Sequence, residues 1–177
     1  MKYIKAITFL VVAIVLLFLL AALFMPSEFK LERSIEINSP SALVFDNVAD
    51  LNKFNKWNDW YSIEPSAYLP VKGAPGVGQV SEWKGDTVGT GNLKNIIVEP
   101  NKYIEQIITF TTPYESSSKI YFKFDEQNGV TRVVWSIEGS LSYPVGRLMK
   151  VPMEAKLNKS FNQGLANLKK ICEMSQN

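Results

Sequence analysis

The stretch Lys119–Gly139, KIYFKFDEQNGVTRVVWSIEG, decides the fold. Ile120, Phe122 and Phe124 alternate with Lys119 and Lys123. Beyond Asn128-Gly129, Val133, Trp135 and Ile137 alternate with Arg132, Ser136 and Glu138. A period of two marks strands with one apolar face, and Asn-Gly is the dipeptide suited to a type I′ hairpin turn, where both central residues need positive φ. The two runs therefore form an antiparallel pair that presents one greasy surface.

That surface needs a cover. Downstream, past Pro144, Leu157, Phe161, Leu165, Leu168 and Cys172 recur every three or four residues, which predicts a long amphipathic helix lying on the sheet. Upstream, alternation predicts strands over Gln79–Lys84, Gly91–Val98 and Tyr103–Thr111, beside the hairpin strands Ser118–Asp125 and Val130–Ser140. The turn-forming stretches KGAPGVG, KGDTVGTG and EPNK separate them. Phe29, Leu31, Ile35 and Ile37 predict a first strand whose apolar face Arg33 interrupts. Ser39-Pro40 then predicts a helix start, with serine as cap and proline in the first turn; Leu43, Val44, Asn47 and Val48 continue it. A second short helix over LNKFNKW puts Phe54 and Trp57 on one face. The expected class is α+β.

Residues 6–25, AITFLVVAIVLLFLLAALFM, carry no charge, and Thr8 is their one polar residue. At 1.5 Å per residue, about 20 such residues cross the roughly 30 Å hydrocarbon layer. The alternatives are a cleaved signal peptide or a buried core helix. The run exceeds a signal peptide's apolar region, and Leu23, Phe24 and Met25 stand where small residues would mark cleavage. The expected organisation is a membrane anchor and linker over 1–28 and one domain over 29–177. Lys2, Lys5 and the free amino terminus favour a cytoplasmic N-terminus and an extracytoplasmic domain, against Lys30 and Arg33 on the other flank.

Composition narrows the function. Net charge is +2 over 177 residues, with lysines scattered among acids, which gives no electrostatic footprint for nucleic acid. The single cysteine forbids an intramolecular disulfide and a multi-cysteine metal site. The absence of histidine removes histidine triads and histidine metal centres. The glycine-rich turns lack the lysine-serine/threonine ending of a phosphate loop, so no cofactor or metal is expected. The acids form no pair: Glu82, Glu105 and Glu138 fall opposite the apolar face, and these three and Glu126 are assigned to solvation.

The order strand, two short helices, antiparallel strands and long final helix resembles the helix-grip fold of the START, Bet v 1 and polyketide-cyclase (SRPBCC) superfamily. The stretches that carry the resemblance are ERSIEINSPSALVFDNVADLNKFNKWNDW, GVGQVSEWKGDTVGTG, IIVEPNKYIEQIITF, GVTRVVWSIEG and FNQGLANLKK, spread over Phe29–Glu173. The resemblance implies a curved antiparallel sheet wrapped around the C-terminal helix, with a hydrophobic ligand held between them. It implies no particular reaction, because no single catalytic motif carries it.

Seven residues follow as cavity candidates. Trp83 and Trp135 fall on the inward face and offer broad apolar walls with a polar N–H, whereas Trp57 and Trp60 are placed at the rim. Asn95, Gln106 and Ser81 share the inward parity; each either orients a ligand carbonyl or hydroxyl or is turned to solvent by a bulge. Phe161 and Gly164 lie on the buried face of the last helix. Glycine there costs about 1 kcal/mol relative to alanine, so Gly164 marks either space for a ligand or a close helix-to-sheet contact. The function expected is capture of a hydrophobic small molecule at a membrane. The alternatives are a cyclase, dehydratase or hydrolase using the same pocket, or a protein-interaction domain.

Overall fold

The computed structural model describes residues 2–175; Met1 and residues 176 and 177 of the expected segments lie outside the described residues. Helix α1 (Lys2–Phe24) leads into strand β1 (Glu28–Ile37). Three short helices follow, α2 (Ser41–Ala49), α3 (Leu51–Trp57) and α4 (Asp59–Ile63), then a 3-10 turn at Pro65–Ala67. Strands β2 (Val80–Lys84), β3 (Thr90–Glu99), β4 (Tyr103–Thr112), β5 (Ser116–Gln127) and β6 (Val130–Ser140) complete the sheet. The chain closes with α5 (Val145–Leu148) and α6 (Lys150–Met174). The sheet is antiparallel throughout, in the order β1-β6-β5-β4-β3-β2. This is the helix-grip fold.

The β5–β6 hairpin pairs Phe122 with Trp135 and Phe124 with Val133, and both turn residues adopt positive φ, 54° at Asn128 and 78° at Gly129. Its apolar face meets Phe161, Leu165, Leu168 and Cys172 of α6, all buried. Burial of side chains this size is worth roughly 1.5–3 kcal/mol each.

Two local expectations are corrected. Pro40, not Ser39, occupies the cap position of α2, and no side chain of the cap residue bonds the helix. The free N–H of Ser41 instead donates to the Glu126 carboxylate at 2.7 Å, so an acid assigned to solvation caps a helix from the hairpin end. This bond holds the Glu126 carboxyl below its ordinary pKa. In β3 the register slips between Asn95 and Ile97, and Ile97 is exposed where plain alternation puts it inward. A bulge adds one residue to the strand and reverses the parity beyond it.

Helix α1 is long and apolar enough to cross a membrane, and its side chains are almost all exposed, which excludes the core-helix alternative. Its last turns touch the segment after β6. The Tyr143 hydroxyl donates to the Leu19 carbonyl at 3.1 Å, and the Arg147 guanidinium donates to that of Ala22 at 3.3 Å.

Candidate functional site

A cavity of about 80 Å³ lies between the sheet, α3, α4 and α6. Its sheet wall is Trp83, Leu93, Ile108, Phe110, Ile120, Trp135 and Ile137; Phe54, Trp60, Leu157 and Phe161 close it from the helices. Trp60, Tyr68, Ile108, Phe110 and Leu157 are only half-buried and mark its mouth. Lys156 places its ammonium 4.7 Å from the centre of the Trp60 ring, a cation–π contact at that rim.

Trp135 and Phe161 form the deep wall. Their rings stack 3.8 Å apart and 11° from parallel, with Phe122 stacked on the indole at 5.2 Å and Trp57 edge-on at 5.5 Å. The Trp135 indole N–H is buried without an acceptor. Trp83 owes its position to its cross-strand partner Gly91, where a β-carbon would come within 2.7 Å of the indole. Only glycine leaves the ring room to lie flat there.

The polar part of the wall is small. Asn55 donates from Nδ2 to the Ser81 hydroxyl at 3.0 Å, and both residues are buried. Asn58 and Tyr68 complete it. Burial pushes the Tyr68 phenol well above its ordinary pKa, with Tyr61 adding to the shift, so Tyr68 offers a neutral hydroxyl. The wall holds no carboxylate, amine or thiol. Such a site can orient an acceptor-bearing apolar molecule, but it offers no group suited to proton transfer near neutral pH.

Of the seven sequence candidates, Ser81, Trp83, Trp135 and Phe161 meet at this cavity. Asn95 and Gln106 are fully buried but serve the scaffold. Gln106 Nε2 donates to Asn95 Oδ1 at 2.8 Å, and Asn95 Nδ2 donates to the carbonyls of Ala49 at 2.8 Å and Gly76 at 3.1 Å. Beside them the Gln79 side chain accepts from the Leu51 N–H at 2.8 Å. This network ties the α2–α3 junction and the loop before β2 to the sheet. Gly164 is not on the cavity wall either, since it abuts the indoles of Trp135 and Trp57. Trp57, placed at the rim by sequence, is fully buried, with its N–H bonded to the Asn47 carbonyl at 2.8 Å.

Sequence reasoning missed Asn55 and Asn58, whose signal is their place beside Phe54 and Trp57 on one short helix and its cap. It also missed Glu64. This carboxylate accepts from the backbone N–H groups of Asp86, Thr87 and Val88 at 3.1, 2.9 and 3.1 Å, which pins the β2–β3 turn beside the cavity. Those bonds, Thr87 and Val88 first, hold its pKa below the ordinary value.

The comparisons with known proteins agree on the fold. No curated protein matches the chain in sequence. The structure is similar to that of protein MLL2253 from Mesorhizobium loti, with a TM-score of 0.63 at 14% identity, over 82% of this chain and 98% of that one. It is similar to Aha1 from Colwellia psychrerythraea, solved as a dimer, with a TM-score of 0.58 at 18% identity, over 84% and 99%. DynU16, a protein of the dynemicin biosynthetic locus, aligns with a TM-score of 0.59 at 11% identity, over 82% of this chain and 48% of that one. The sequence model described as polyketide cyclase / dehydrase and lipid transport matches residues 28–173, nearly the whole domain. The chain therefore belongs to the polyketide cyclase/dehydrase and lipid transport family, within the SRPBCC superfamily.

Proposed function

We propose that this chain is a membrane-tethered binding domain for a hydrophobic small molecule that carries at least one hydrogen-bond acceptor. The observation that supports it is the cavity wall: indole, phenyl and aliphatic surface broken by the Asn55–Ser81 pair and the Tyr68 hydroxyl. The family description names both reactions and lipid transport. The wall's lack of ionisable catalytic groups favours binding over turnover.

The cavity's 80 Å³ is well below the roughly 300–1,000 Å³ of small-molecule pockets. A lipid or polyketide-like molecule therefore displaces the half-buried Trp60 and Leu157 at the mouth as it enters. Helix α1 anchors the domain, with Lys2 and Lys5 holding the N-terminus in the cytoplasm and the domain outside it.

The test is uptake of anilinonaphthalene sulfonate by the wild-type chain and by Val88→Phe, which places a ring in the cavity because the buried Val88 side chain lines its wall. The variant is expected to lose probe uptake at an unchanged or raised denaturant midpoint. Equal uptake by both proteins would place the probe elsewhere and remove the cavity from the account.

A further inference from the structure

One end of the sheet lies against the last turns of α1. Strand β1 begins there at Glu28, paired with Ser140, and the Leu141 N–H donates to the Ser27 carbonyl at 2.7 Å. Register carries this end across the sheet. Gly139 faces Ser118, Phe110 faces Ser116, Thr112 faces Thr90, and Thr90 faces Lys84. The cavity residues Ile137, Ile120, Phe110 and Trp83 all stand within a few residues of that end. The hairpin turn Asn128-Gly129 is at the other, some ten residues or about 30 Å away along the strands.

The connection from β6 to α6 occupies the same end and has an unusual surface. Tyr143, Val145, Met149 and Val151 are 45%, 54%, 53% and 68% exposed within nine residues. Between them stand two basic side chains: Arg147 reaches the Ala22 carbonyl in the last turn of α1, and Lys150, paired with Glu154, reaches the Glu28 carbonyl at the start of β1 at 3.4 Å. Arg147 also lies over the Tyr143 ring, 5.6 Å from its centre. Leu19, bonded by the Tyr143 hydroxyl, is five residues before the end of α1 at Phe24, about 7.5 Å along the axis at 1.5 Å per residue. That depth matches the roughly 5–10 Å to which an interfacial segment buries its apolar side chains. Tyrosine with flanking arginine and lysine is the composition found at the headgroup level.

We infer that Tyr143–Val151 lies in the bilayer interface and seats the cavity-bearing end of the domain on the lipid surface, so that the cavity exchanges its occupant with the membrane. This rests on the reading of α1 as a membrane span. The occupant of the exposed apolar patch is the bilayer that α1 crosses, because the patch is continuous with the last turns of that helix.

Depth-dependent quenching tests it. Full-length protein carrying one introduced cysteine, Val145→Cys, Met149→Cys, Gln127→Cys or Val15→Cys, is labelled with a nitrobenzoxadiazole dye. It is then reconstituted into phosphatidylcholine/phosphatidylglycerol vesicles containing lipids with a shallow or a deep nitroxide. Cys172 stays unlabelled, since it is fully buried and burial pushes its thiol up to about 11. Dyes at 145 and 149 are expected to lose emission to the shallow nitroxide, the dye at 15 to the deep one, and the dye near the hairpin turn at 127 to neither. Quenching at 15 with 145 and 149 as bright as 127 would overturn the interfacial seating while leaving the anchor intact. A dye at 15 untouched by either lipid would overturn the anchor, and the seating with it.

Discussion

Gly164 of α6 and Trp135 of β6 touch: a β-carbon on Gly164 would lie 3.0 Å from Cζ3 of the indole and 3.5 Å from its Cη2. The indole cannot retreat, because Phe161 and Phe122 stack on it and Trp57 abuts it edge-on. Replacing Gly164 with leucine is therefore expected to overpack the core by about 1–3 kcal/mol. Denaturant midpoints of the two proteins measure this. A Gly164→Leu variant of wild-type stability that loses probe uptake would return this residue to the cavity.

Asn95 is expected to matter for stability and not for binding. Asn95→Leu strands the buried Ala49 carbonyl and the Gln106 amide, each loss costing about 1–3 kcal/mol before relaxation, while the Gly76 carbonyl keeps the Gln79 N–H. The midpoint should fall steeply while probe affinity of the folded fraction stays at the wild-type level. A stable variant with weakened uptake would show that the amide faces the ligand after all.

Glu64 gives the cavity rim a pH dependence of definite sign. Its folded pKa is depressed below the ordinary 4.5, so its contribution is fully present above that value and is lost as pH falls through the lower, folded value. Glu126, held below the same ordinary value by the Ser41 N–H, acts in the same direction. In an NMR titration the Asp86, Thr87 and Val88 amide resonances are expected to move together with a midpoint below 4.5, and to stay fixed in Glu64→Gln. A midpoint at or above the ordinary value would mean that the carboxylate does not hold the turn.

Alternation sufficed for the strands because one face of each is buried, and a period of two then fixes both register and orientation. It reached Ser81, Trp83 and Trp135 correctly as inward residues, and helical spacing did the same for Phe161. The bulge beyond Asn95 was invisible, since the residues on either side read as one continuous strand. The partners of the inward amides were equally hidden: Asn95 bonds a carbonyl 46 residues away, and Glu126 caps a helix 85 residues away. Such bonds leave no local pattern. Gly164 was legible only as a choice between space and contact, because helical spacing names a face but not what stands opposite it.

Native mass spectrometry of the chain from Glu28 onward, before and after organic extraction, tests the binding claim most directly. Apart from Ala22, the hydrophobic core is built from Phe29 onward, so this chain is expected to fold without α1 and to stay soluble without detergent, which would itself compete for the cavity. The expected result is an added small-molecule mass that extraction removes, that returns on incubation with a lipid extract, and that is absent from Val88→Phe. A folded chain that shows its bare mass before extraction and takes up nothing from the lipid extract would contradict it.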